Sequence, residues 1–170
     1  NYTFSVAPMM GYTTPHARYF YRLLSKKTIL FTEMIASQAL IRLNQNDKFK
    51  KNYIDNPVIL QIGGNNEKEL IECCKIAEKF NYSGINLNIG CPSKKVQKGR
   101  FGACLMKDPL NVSRMVRSMI NESKINVSIK CRLGVDNFDN YEFLKKFISI
   151  NSDAGCNTFF IHARKALLKG

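Results

Sequence analysis

Cys91 stands where an alternating pattern stops. Ile85, Leu87 and Ile89 interleave with Asn86 and Asn88, Gly90 ends the run, and Cys91-Pro92 follows at once. Alternation at period two gives a strand with one apolar face and one amide face. Pro92 fixes the chain direction after the thiol. The next residues carry Lys94, Lys95, Lys98 and Arg100 in a loop, with Gly99 and Gly102 as bending points. Most free cysteines are small buried hydrophobes, and Cys91 taken alone reads that way. Two features of residues 83–106 argue against it. Amides on the face of a core strand are costly unless paired with something polar. The cations also cluster where the strand points. A thiol beside inward amides, under a basic loop, suits chemistry on an anionic ligand.

A nucleophilic cysteine needs a base to make thiolate. The two histidines are His16, on the first helix, and His162, two strands away, so no dedicated base is in view. A thiol near its ordinary pKa of about 8.5 is mostly protonated at neutral pH and can act as an acid. None of the six cysteines sits in a C-x-x-C pair, which argues against a zinc site, and we expect no metal. A reducing compartment is the simpler reading of these cysteines, the cytoplasm with an organelle left open.

The elements that must place these groups follow in chain order. Residues 3–8 read as a strand, and Thr14-Pro15 opens a helix with Phe20 and Leu24 four apart. Residues 28–34 form a second strand, ending near Glu33. A polar segment with Lys48, Lys50 and Lys51 leads to a third strand at 58–62, closed by Gly63-Gly64. Asn66 with Glu69 starts a helix carrying Leu70, Cys73, Cys74, Ala77 and Phe80. The strand at 84–89 is fourth. Asp108-Pro109 starts a helix with Val112, Met115, Val116, Met119 and Ile120 as its apolar stripe. A fifth strand at 126–132 precedes a helix that starts at Asp139 with Glu142 and carries Phe143, Leu144, Phe147 and Ile148. Residues 157–163 are the sixth strand.

Strands and helices alternate at the interval of a βαβ unit, which argues a parallel α/β fold. Near the C-terminal end of each strand a polar residue breaks the apolar parity: Gln61, Asn88, Lys130 with Arg132, and His162 with Arg164. In a TIM (β/α)8 barrel one parity faces the helices and the other faces the interior, whose C-terminal mouth holds the active site. We expect such a barrel, with about six of its eight βα units in this chain, and Gln61, Asn88, Cys91, Lys130 and His162 at one mouth.

A length of 170 residues, 45% hydrophobic and 23% charged, allows one globular domain with a sizeable core. No stretch reaches the ~18 apolar residues of a span and no signal peptide is visible, so no membrane is expected. The net charge of +13 fits either a polyanion such as RNA or a composition rich in Lys and Asn throughout. The bunching of cations beside Cys91 favours RNA.

The run Asn88, Gly90, Cys91, Pro92 and Ser93 resembles the N-x-G-C-P-S signature of the tRNA-dihydrouridine synthases, and the continuation KKVQKGRFGACLM resembles their A-type bacterial branch. The resemblance implies an FMN-dependent reduction of the uridine C5–C6 double bond in the tRNA D-loop, at positions 20 and 20a, with NADPH as reductant. Hydride would reach C6 from the flavin, and Cys91 would give the proton to C5. It implies that Pro8, Met9 and Met10 lie against FMN through backbone groups, and that Gln61, Lys130 and His162 contact the isoalloxazine, Lys130 near its N1–C2 edge. Asn88 would face the uracil, and Lys94, Lys95, Lys98, Arg100, Arg132, Arg164 and Lys165 would be substrate or RNA contacts. Glu33, in T-E-M, fits the same pattern with its role open. The family has further barrel strands and a C-terminal helical tRNA-binding domain, so residues 1–170 are expected to be part of a longer protein that lacks both here. Two other readings stay open: a flavin enzyme reducing a free pyrimidine, and a non-catalytic RNA-binding remnant.

Overall fold

The computed structural model describes residues 4–46 and 56–168. The Lys48, Lys50 and Lys51 segment lies outside them. The main helices begin at capping side chains. Thr14 Oγ1 accepts from the Ala17 amide, with Pro15 at the first position of α1 (Pro15–Leu24). Asn66 does the same for α3 (Glu67–Lys79) and Asp108 for α5 (Pro109–Asn121). Each satisfies an amide that the helix start leaves orphaned. For α6 (Tyr141–Asp153) the cap is Asn140, which accepts from the Phe143 amide at 2.8 Å, and not the expected Asp139. Asp139 is instead bound by Lys165 at 2.8 Å.

Between the helices run β1 (Ser5–Val6), β2 (Ile29–Phe31), β4 (Val58–Gly63), β5 (Gly84–Asn88), β6 (Val127–Arg132) and β7 (Phe159–His162), paired in parallel in that spatial order. All six expected strands are present. Outside the basic loop two elements were not foreseen: β3 (Ile35–Ala36), which also pairs with β4, and α2 (Ser37–Gln45). The α2 stretch is SQALIRLNQ, whose few apolar residues bury little; only Ser37 and Leu40 are buried in it. A weak stripe with no side-chain cap gave periodicity nothing to detect.

Register puts the polar tips on one face. Gln61 pairs with Asn86, Asn88 with Lys130, and Arg132 with His162. The opposite parity is apolar and buried: Leu60, Ile62, Ile85, Leu87 and Ile129 pack with Leu70, Cys73, Val112, Met115 and Phe147 from the helices. Each such fully buried side chain contributes about 2 kcal/mol. The inner face has its own apolar floor of Ile29, Phe31 and Ile59, packed against Phe160. The rings of Phe31 and Phe160 meet edge to face at 5.1 Å. Their strands are separated by β4, β5 and β6, so this contact requires the sheet to curl. The result is a partial TIM (β/α)8 barrel. Among the described residues β1 pairs only with β2, and β7 only with β6.

The Phe20/Leu24 pair of α1 behaves differently from its pattern. Arg18 and Arg22 are buried, while Phe20, Leu23 and Leu24 are 56%, 66% and 71% exposed. The arginines turn inward because carbonyls await them: Arg18 donates to Thr13 O, and Arg22 to Ser25 O and Pro57 O. The basic loop after Cys91 is also more ordered than expected. It contains a short helix, α4 (Lys94–Lys98), capped by Ser93, and a 3₁₀ helix at Gly102–Lys107. Gly102 has φ +75° as a bend requires, but the other left-handed residue is Arg100, at φ +54°, and not Gly99.

Candidate functional site

The inner face of β4–β6 carries a continuous chain of amides. Gln61 Nε2 donates to Asn86 Oδ1 at 2.7 Å, and Asn86 Nδ2 donates to Ser128 Oγ at 2.9 Å. Asn88 Nδ2 donates to Gln61 Oε1 at 3.1 Å. All four residues are buried, so each amide finds in its neighbour what burial denies it in water. Asn86 and Ser128 were not among the expected site residues. Both share the parity of Asn88 and Lys130, and that alternation was the available signal.

Asn88 also sets the thiol. Its Oδ1 accepts from the Gly90 and Cys91 amides at 3.1 and 3.0 Å, turning the chain sharply at the end of β5. The expected substrate asparagine thus spends its oxygen on the protein. The Cys91 carbonyl takes the Ala103 amide at 3.0 Å. A Cβ at Gly102 would lie 2.7 Å from that carbonyl and 2.5 Å from Val96, so the return of the chain over Cys91 needs glycine in shape and in space. Gln97, also unforeseen, donates to Pro92 O at 2.8 Å and to Leu168 O at 3.1 Å, joining the loops after β5 and β7. The Cys91 side chain is half-buried, and its Sγ contacts Ser93 Oγ at 3.6 Å.

The other expected residues divide into two groups. Lys130, Arg132, His162 and Arg164 gather beside Cys91 at the barrel mouth. Partial burial, then Arg132, pulls the Lys130 ammonium below its ordinary value. Burial, then Arg164, does the same to Arg132, which is also near enough to Cys91 to feel its charge. Desolvation, then Arg132, Lys130 and Arg164, lowers His162 below its ordinary value. Arg132 is committed to the backbone, with Nε on Gly90 O at 2.8 Å and Nη1 on Lys165 O at 3.3 Å.

The second group is peripheral. Lys94, Lys95, Lys98 and Arg100 are exposed on and after α4, and among the described residues none of them meets a carboxylate. Lys165 is held by Asp139. Pro8, Met9 and Met10 lie in the turn after β1, with Met10 64% exposed. The turn is at the same end of the sheet as Cys91, although no direct bond joins the two.

Five further cysteines are free thiols of a different kind. Burial pushes Cys74 and Cys131 up to about 12, and raises Cys73, Cys104 and Cys156 as well. Four of them, Cys73, Cys74, Cys131 and Cys156, are buried in the core, while Cys104 is half-buried. Among the described residues no group of three or more His, Cys, Asp or Glu could hold a metal, and no helix is long and apolar enough to cross a membrane. A cavity of about 430 Å³ opens at the N-terminal ends of β5–β7 around Ser83, Asn126 and Thr158, away from the thiol.

The family model described as dihydrouridine synthase matches residues 5–168. The chain is 48% identical over 167 residues to the tRNA-dihydrouridine(20/20a) synthase of Vibrio parahaemolyticus, covering 98% of this chain and 51% of that protein. It is 47% identical over 170 residues to the Escherichia coli protein of the same name, with 99% and 51% covered. For the Synechocystis relative the figures are 46% over 166 residues, with 98% and 50% covered. The chain therefore spans about half the length of the curated relatives it matches. With a family match across nearly its whole extent and near-half identity to these relatives, the chain belongs to the dihydrouridine synthase family.

Proposed function

We propose that this chain carries the cysteine-bearing part of the catalytic barrel of a cytoplasmic tRNA-dihydrouridine synthase. The complete protein reduces the C5–C6 double bond of D-loop uridines, at positions 20 and 20a, with FMN as cofactor and NADPH as reductant. The remaining barrel strands and a helical tRNA-binding domain belong to that longer protein. The observation that carries the reading is the double use of Asn88, which bonds Gln61 on one side and the Cys91 amide on the other, beside Lys130.

The donor set fits FMN. A primary amide has two N–H groups, and Gln61 and Asn88 each use one within the ladder, leaving one apiece. With the Lys130 ammonium they make a face of donors only, matched to the acceptor-rich pyrimidine edge of an isoalloxazine. Gln61, Lys130 and His162 would hold that edge, with the backbone of Pro8–Met10 beneath it. Bound FMN, reduced by NADPH, supplies the hydride for uracil C6.

The chain's own task is the proton. Cys91 breaks its S–H bond as the C5–H bond forms, leaving thiolate. Arg132 stabilises that anion from close by, and solvent at the half-buried thiol returns the proton. Lys130, partly desolvated at the mouth, favours negative charge there in its ammonium form. The exposed cations on and after α4 suit phosphates that flank a uridine turned out of its stack.

The complete protein is expected to purify yellow, to bleach with NADPH, and to form dihydrouridine in tRNA. A colourless protein would favour the RNA-binding remnant, and turnover of free uracil would move the substrate to a pyrimidine. Residues 1–170 alone are expected to retain FMN weakly and to self-associate through Phe20, Leu23 and Leu24 of α1 and the two open sheet edges. Flavin absorbance across a gel-filtration peak checks both. A yellow monomer would contradict them.

A further inference from the structure

We infer that Glu33 is a positioning residue that sets the Pro8–Met10 turn against the cofactor, an inference that rests on the function proposed above. The turn is braced within itself. Tyr12 and Thr13 donate their amides to Met9 O at 3.0 and 2.9 Å, Met9 N donates to Thr13 Oγ1 at 3.0 Å, and Arg18 holds Thr13 O at 2.8 Å. These bonds give the turn a shape, and the pairing of β1 with β2 anchors its near end to the sheet. Glu33 anchors its far end. Its Oε1 accepts the Gly11 amide at 2.6 Å across 22 residues of chain.

Glu33 is itself registered to the strand that carries Gln61. Thr32 Oγ1 donates to Glu33 O at 2.7 Å and accepts the Gln61 amide at 3.0 Å. The path from β4 to the turn thus runs Gln61 backbone, Thr32 hydroxyl, Glu33, Gly11. Gly11 sits at φ +78°, and a Cβ there would meet nothing within 4 Å. Glycine is present for the backbone shape that aims its N–H at Glu33, and not for space. One carboxyl group thus ties the far end of the turn of residues 8–10 to the strand region that carries Gln61, the two sides of the proposed flavin contact.

The test uses the full-length protein with Glu33→Ala and Glu33→Gln. Apoprotein is titrated with FMN by fluorescence, and amide exchange is followed in the peptide spanning residues 9–13. Glu33→Ala is expected to weaken FMN binding about tenfold, as loss of a charge-assisted bond does, and to speed exchange at Gly11. Glu33→Gln keeps an acceptor oxygen and is expected to stay within about threefold of wild type in both readouts. If Glu33→Ala does not fold, Glu33→Asp, one methylene too short for the 2.6 Å contact, is expected to show the same loss. A Glu33→Gln protein as weak as Glu33→Ala overturns the inference, because charge and not the bond then matters. So does an alanine variant with unchanged affinity and exchange. Wild-type protein that binds no FMN overturns the proposed function instead, and the Gly11 exchange rate still reports on the clamp.

Discussion

Cys91→Ala in the full-length protein is expected to lower dihydrouridine formation about 10³-fold, the scale of a lost general acid, with FMN affinity and melting temperature unchanged. The structure separates the two roles of this residue. Its backbone holds the turn, through the bonds to Asn88 Oδ1 and from the Ala103 amide. Its thiol donates one weak hydrogen bond, to Ser93 Oγ at 3.6 Å. Alanine keeps the backbone bonds and removes the proton donor alone. Mass spectrometry of digested tRNA gives the product yield, and thermal melting gives the control. A variant that keeps its rate would place the acid elsewhere. A variant that loses its flavin would give the thiol a structural part that its contacts do not support.

What the sequence shows and what it hides follow from the range of the forces involved. The barrel strands, their shared polar face and the position of Cys91 are local: alternation at period two is written in Ile85–Ile89 and repeated in β4 and β6. Helix starts at Thr14, Asn66 and Asp108 are equally local, because a cap reaches only three residues. The partners that buried polar groups take are less legible, whether near or far in sequence. Nothing near Arg18 and Arg22 announces that carbonyls at Ser25 and Pro57 will draw them inward and leave Phe20 and Leu24 outside. Nothing near Asn88 says that its oxygen will cap Gly90 and Cys91 rather than stay free. Arg132 and Lys165 read as free cations, yet one holds the Gly90 carbonyl and the other Asp139. The residue types at the mouth were legible. Which of them are already spent on the protein was decided by contacts as near as two residues for Asn88 and as far as 42 for Arg132.

Asn86→Leu is expected to destabilise the barrel by about 3 kcal/mol, because it strands groups that have no water to turn to. Asn86 is fully buried and works at both ends: it accepts from Gln61 at 2.7 Å and donates to Ser128 at 2.9 Å. Leucine does neither. Gln61 then keeps an unpaired N–H inside the sheet. Ser128 still reaches Ile85 O at 3.3 Å but loses the donor that oriented it. A single buried unsatisfied group costs about 1–3 kcal/mol, and the Gln61 N–H becomes one here. The apolar gain from leucine is offset by crowding in a close-packed layer between β4 and β6. The damage also reaches the mouth. Gln61, released from Asn86, is free to turn its amide, and its bond to Asn88 at 3.1 Å is what links the ladder to the Cys91 turn. Chemical denaturation of the full-length protein reads the first effect and FMN titration the second, and both are expected to move together. Cys91→Ala should move neither, so the pair of variants separates a residue that reacts from one that holds the reacting face in shape. An Asn86→Leu protein of wild-type stability would mean that the ladder is dispensable and that the shared polar face is held by strand pairing alone.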